Sequence, residues 1–263
     1  MPSELEATGG DEPSAVLEAS VARLRALVEK LPVGRLRYPS YASEWTIADV
    51  LSHIGSGAVI LRRRLEDALA DRPADDDFAP ATWDEWNAKS PEDQATDVLA
   101  VDQALVDRIA EITPAEAATF QLSMGPTTLD LPGFVGLRVN EHGLHTWDVA
   151  VALDPDERLP ADVTGVVVDN LGMVVGFTGK PTGEAHTLSV RTNGPTRHLA
   201  LRFGIDDVEL VPVDPAGAEG PPDLEIAAEA FVRLVYGRLD PDHTPAGTDP
   251  THLDELRQAF PGI

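Results

Sequence analysis

The chain has 263 residues, of which 20 are Lys or Arg and 45 are Asp or Glu, giving a formal charge of −25 at pH 7. With 43% hydrophobic and 25% charged residues it has a globular make-up, long enough for one large or two modest cored domains. The charge excludes a general phosphate-backbone binder and disfavours an anionic membrane surface; the lack of cysteine excludes disulfides, thiolate metal sites and a protein-borne thiol nucleophile.

The opening residues, MPSELEATGGDEP, are acidic and polar, unlike the basic-then-apolar start of a secretory signal. Four segments in the first 155 residues predict helices. The first runs from about Ser14 to Leu31, with Val16, Leu17, Val21, Leu24 and Leu27 near a 3.6-residue period and Pro32 beyond its last turn. The second begins after Trp45, with Thr46 as N-cap and Asp49 as a short relative of the capping-box acid. It continues through Leu51, Ile54, Ile60 and Leu65 to about Ala70, where DRPADDDFAP breaks it.

The third starts at Ser90-Pro91-Glu92-Asp93: an N-cap serine, a proline in the first position and acids in the first turn. Val98, Val101, Leu105, Ile109 and Ile112 form its apolar stripe. The fourth spans about Pro132 to Leu153, with Phe134, Leu137, Leu144 and Trp147 on its apolar face. Four such helices most simply make an antiparallel bundle. The long connection from Ala70 to Ser90 carries Trp83, Trp86 and Asn87, which either wall a pocket or pack over the bundle end.

After the joint LDPDERLP the pattern changes. A helix from about Ala161 to Phe177 precedes alternating segments at 186–192, 197–203 and 208–213 with hairpin-type turns between them. The apolar part of that helix, Val163 to Phe177, is interrupted by Asp169 and Asn170 and falls short of a clean span of about 18 residues. PPDLEIAAEAFVRLVYGRLD reads as one more helix, and a short one from His252 to Phe260 follows. The expected fold class is therefore α+β: an N-terminal four-helix bundle over 1–155 and a small α+β domain over 160–263, located in the cytoplasm.

Seven histidines and 45 acids make many accidental pairs, so spacing has to sort them. Glu141 and His145 are four apart and share one face of the fourth helix, while His142 points about 100° away. Alone, that is as readily a solvated Glu–His pair. His53, bracketed by Leu51 and Ile54 in the second helix, is either a hydrogen-bonded boundary histidine or a third member. If the second and fourth helices are neighbours, His53, Glu141 and His145 form a two-His-one-carboxylate set, the kind that holds zinc with one position open.

The runs WTIADVLSHI, RVNEHGLHTWDVAVAL and RLVYGRLDP…LDELRQAFPG occur in that order along the chain. Together they resemble the mycothiol-dependent maleylpyruvate isomerase family, a DinB-like (YfiT-like) metal-binding bundle followed by a small α+β domain. The resemblance covers about Ala15 to Gly262. It implies Zn²⁺ as the metal, with His53, Glu141 and His145 as ligands, and mycothiol as an external low-molecular-weight thiol. It also implies isomerisation or S-transfer on a small electrophile, in an actinobacterial cytoplasm that the Arg- and Ala-rich composition suits.

By the same resemblance the functional arginine falls on Arg238, less readily on Arg233, suited to bidentate capture of a carboxylate or else to capping a helix end. Arg138 is expected to hold Glu141 in a salt bridge, and Asp148 to accept a hydrogen bond from His145 or stand solvated. Two further readings stay open: a hydrolase using zinc-bound water, and a noncatalytic metal or small-molecule binder.

Overall fold

The structure is a computed structural model that describes residues 12–262 apart from Ser43, Ala74, Gly125, Pro126, Ala218 and Glu219. The acidic residues 1–11, read above for a signal segment, lie outside the described residues.

Local chemistry sets the helix starts. α1 (Pro13–Val28) opens on proline. α2 (Ile47–Leu69) is locked by a full capping box, in which Asp49 N–H donates to the Thr46 hydroxyl and Thr46 N–H donates to the Asp49 carboxylate. A box of this kind typically stabilises a helix start by about 1 kcal/mol. α3 (Phe78–Asn87) lies within the long connection from Ala70 to Ser90. α4 (Pro91–Ala110) has Ser90 as its cap, and a short α5 (Pro114–Thr119) follows. Next come the two-stranded hairpin β1 (Leu122–Met124) and β2 (Thr127–Leu129), then α6 (Leu131–Val151), capped by Asp130.

α1, α2, α4 and α6 form the bundle. Around it, α1 packs against α4 and α6, and α2 packs against the same two. Two apolar clusters reveal helix direction. One joins the ends of α1 and α6 to the starts of α2 and α4 (Leu24, Val28, Leu51, Ile54, Val98, Val149), and the other joins their opposite ends (Val16, Leu17, Leu65, Ile109, Phe134). The helices thus run up, down, down, up, with α2 antiparallel to α6 and side by side with α4. α3 makes this possible by carrying the chain back along α2. Its Trp86 lies flat where only glycine fits: a Cβ on Gly55 would sit 2.2 Å from the indole.

The second half begins with α7 (Ala161–Thr178), which packs on α6, α1 and the sheet. The sheet contains β3 (His186–Asn193), β4 (Arg197–Phe203), β5 (Val208–Pro212) and β6 (Leu224–Ala227) in the order β5-β4-β3-β6. β3 pairs antiparallel with β4 and parallel with β6. Leu188, Val190, Leu201, Phe203, Leu210 and Ile226 point to the face covered by α7 and α8 (Ala228–Val235), and α9 (Leu253–Ala259) packs on α8. Burying each such side chain contributes roughly 1.5–3 kcal/mol.

The helix predicted across Pro221–Asp240 is instead β6 followed by α8. Leu224 and Ile226 alternate over only four residues, too few to outweigh the Ala-rich run behind them. The parallel pairing with β3 also needs a long crossover that local pattern does not display. α7 is long and apolar enough to cross a membrane by composition, with mean hydropathy 1.2. Its Val163, Val167, Leu171 and Val175 are spent on the core, joining bundle and sheet in one apolar cluster.

Candidate metal centre

The antiparallel contact of α2 with α6 puts His53 opposite the turn of α6 that carries Glu141 and His145. The His53 Nε2 lies 3.6 Å from Glu141 Oε2, and His145 Nε2 lies 3.8 Å from the same oxygen. One ligand atom from each residue falls within 4.8 Å of the others, and the two imidazole centroids are 4.5 Å apart. Tetrahedral zinc ligands at about 2.0–2.2 Å from the ion are spaced roughly 3.3–3.6 Å from each other. The donor set suits a single zinc-sized ion, around which the three side chains would draw in by a few tenths of an ångström to about 1 Å.

The orientation of His145 is fixed from behind. Its Nδ1–H donates to Asp148 Oδ2 at 2.9 Å, which leaves the Nε2 lone pair facing Glu141 and His53. Asp148 is in turn clamped by Arg238, whose Nε and Nη2 each donate to a carboxylate oxygen at 2.7 Å, while Nη1 donates to the Tyr236 carbonyl. Burial pushes the Asp148 carboxyl up, but the hydrogen bonds from Arg238 and His145 outweigh it and hold the group below the usual aspartate range. Loss of water around Glu141 acts upward likewise, and is overcome by the hydrogen bond with His53 and the charges of His145, His53 and Arg138. Burial lowers His145, so its neutral, ligating form is favoured.

These residues open on a cleft of about 640 Å³. One wall comes from the segment before α2, with Tyr41, Glu44 and Trp45; the other comes from Tyr236, Gly237 and Arg238 after α8, backed by Pro261 and Gly262. The Trp45 ring lies 5.2 Å from the His53 ring and 6.2 Å from that of His145, near-parallel to the latter. Titration with Cu²⁺ is therefore expected to quench part of the tryptophan emission, and that part is expected to vanish in Trp45→Phe. Gly237 has φ of +69°, and a Cβ there would lie 2.3 Å from the Gly262 Cα. Gly237→Ala is expected to push Pro261–Gly262 out of the wall, with stability lowered by about 1–2 kcal/mol in thermal unfolding.

Of the other residues singled out, Arg138 does not hold Glu141. It is buried and donates to Asp102 on α4 and to the Ile54 carbonyl on α2. Arg233 is buried in an ion pair with Glu229 and stays out of the cleft. Of Trp83, Trp86 and Asn87, only Trp86 takes the packing role, buried against α2; Trp83 is exposed, Asn87 accepts from Ser52, and none lines the cleft. Asp148 is the acceptor for His145 rather than a solvated acid.

Sequence reasoning missed Tyr41 and Tyr236 as cleft walls, because an isolated tyrosine carries no spacing signal. It also passed over Trp45, whose position just before the N-cap of the ligand-bearing helix was the available clue. His142 was expected only to point elsewhere. It is fully buried, with Ser20 at its Nδ1 and Asp102 at its Nε2.

The family model for the mycothiol maleylpyruvate isomerase N-terminal domain matches residues 17–150. No curated protein sequence matches the chain. Among solved structures, the mycothiol-dependent maleylpyruvate isomerase superposes with TM-score 0.60 at 13% identity, covering 86% of this chain and 88% of that one. Its histidine-to-alanine variant gives 0.61 at 12% identity over the same shares. YfiT from Bacillus subtilis, described as a probable metal-dependent hydrolase with an unusual four-helix bundle topology, gives 0.44 at 20% identity over 58% of this chain and 90% of its own. At these identities the likeness is one of fold.

Proposed function

Because the chain belongs to the mycothiol maleylpyruvate isomerase N-terminal domain family, we propose that it is a zinc-dependent enzyme using mycothiol, or a close low-molecular-weight thiol, for isomerisation of or S-transfer to a small electrophile. The observation that carries this reading is the ligand trio of His53, Glu141 and His145 at the floor of an open cleft. His53, Glu141 and His145 hold the ion, residues 1–155 acting as the metal-bearing unit and 160–263 as the unit that completes the cleft.

A bound zinc ion supplies thiolate at neutral pH, where a free thiol of pKa near 8.5 is mostly protonated. Arg238 positions Asp148, and Asp148 holds the proton on His145 Nδ1 so that Nε2 remains a lone-pair donor. Trp45, Tyr41 and Tyr236 wall the reacting centre. Tyr236 keeps its proton, since burial and the nearby Glu141 charge push its phenol up. In an isomerisation, the sulfur adds across a conjugated double bond, the resulting single bond rotates, and elimination returns the thiol with no net change in atoms or electrons. In an S-transfer the adduct leaves. Cytoplasmic residence suits an enzyme that draws on a reduced thiol pool.

The test is turnover of a panel of electrophiles by zinc-loaded protein. The expected result is activity that requires the thiol and is abolished by a chelator. Ester hydrolysis without thiol would replace this reading with metal-activated water. Arg238→Lys, which keeps the charge but loses the fork, is expected to weaken zinc affinity about 10-fold or more, as measured by competition with a chromophoric chelator.

A further inference from the structure

We infer that the electrophile taken by this cleft is uncharged and flat, rather than a dicarboxylate. The inference rests on the reading above, in which thiol and electrophile meet at the His53–Glu141–His145 floor.

Charge in the cleft carries the argument. Arg238 is the one Lys or Arg among the described residues that line it. Its Nε and Nη2, one of the edges that grip a carboxylate in bidentate fashion, are both taken by Asp148, and its Nη1 donates to the Tyr236 carbonyl. The Asp148 carboxylate thus balances the cation before any substrate arrives. The remaining formal charges on the walls are those of Glu141 and of the exposed Glu44 on the rim. A divalent ion shared by Glu141 and a thiolate is neutral as well. A substrate bearing two carboxylates would meet Glu44 and no free cation, in a protein whose formal charge is −25.

What the cleft offers instead is aromatic surface. Trp45 is partly exposed, and its ring lies beside both imidazoles at an interplanar angle of 23° to His145. A flat molecule lying on that indole face comes up against the ligand atoms. Tyr41 and Tyr236 bound the same space with neutral hydroxyl groups, which suit a carbonyl or nitro oxygen better than they suit a carboxylate.

A matched pair separates charge from shape: dimethyl phthalate and phthalate, which share a ring and differ in two negative charges. Their dissociation constants are read from tryptophan emission of the zinc-loaded protein saturated with mycothiol, so that the thiolate balances the ion, with Trp45→Phe as the control for the site. The diester is expected to bind at least about tenfold more tightly. Glu44→Gln and added salt are expected to strengthen phthalate binding and leave the diester unmoved. Equal or tighter binding of phthalate, or no binding of the diester, overturns the inference. The parallel kinetic pair is dimethyl maleate against maleate with mycothiol, each rate divided by its uncatalysed thiol rate. A higher enhancement for the diester supports the inference, and an equal or higher one for maleate overturns it. Loss of all thiol turnover together with a retained tenfold binding preference would remove the proposed reaction and leave the charge selection standing.

Discussion

His145→Ala is expected to strip the protein of most of its zinc and to lower thiol-dependent turnover by more than about 100-fold, while leaving it folded. Altering a residue that merely supports a metal ligand commonly costs about 10–100-fold in affinity, and His145 is itself one of three donors. It is also the donor whose orientation Asp148 fixes, so no neighbouring group is poised to replace it. His53→Ala is expected to behave alike. Its side chain is about one-third exposed, and alanine is a better helix former than histidine, so little stability is lost. Elemental analysis expects about one zinc per chain in the parent protein and little in either variant, with melting curves moved by only a few degrees. Full zinc in both variants would dissolve the proposed centre.

Asp102→Ala is expected to destabilise the bundle by about 3–5 kcal/mol, the largest single effect on folding. Asp102 is 2% exposed and lies at the middle of a polar cluster that touches all four bundle helices. It accepts from Arg138, which also donates to the Ile54 carbonyl on α2, and it pairs with His142, whose other nitrogen meets Ser20 on α1. Removing the carboxylate strands the Arg138 guanidinium in the core. The double change Asp102→Leu with Arg138→Met removes both charges and is expected to recover most of the loss. Urea unfolding of the two variants measures this.

The same group sets an acid limit. Burial pushes the Asp102 carboxyl up, but the charges and hydrogen bonds of His142 and Arg138 hold it below its ordinary 3.8. Its contribution is therefore complete above about pH 4 and is lost as pH falls through the lowered folded value. The double variant is expected to show a shallower loss of stability in that range.

Much of the meeting of His53, Glu141 and His145 was legible because helices advertise themselves. The Thr46 and Asp49 box and the Ser90-Pro91 start are local signals, and the i,i+4 spacing of Glu141 and His145 follows from helix geometry alone. That His53 joins them depends on α2 and α6 being antiparallel neighbours, which no local pattern encodes. The up-down-down-up order depends on α3. Its segment shows no helix in the sequence pattern because DRPADDDFAP looks like a breaker and its helix buries only Thr82 and Trp86. Arg138 was assigned to Glu141 on i,i+3 spacing; its partner, Asp102, lies 36 residues away on another helix. β6 was lost for a similar reason, since its pairing partner is more than 30 residues upstream.

The clamp of Arg238 on Asp148 ties events in one half of the chain to the other. A bundle fragment ending near residue 155 would still carry all three donors. It would lack the guanidinium that steadies the acceptor behind His145, and with it a whole side of the reaction chamber. Whatever loosens the docking of the trailing half, whether a substitution at the seam or a fused neighbour, is thus expected to slacken the hold on the His145 ring.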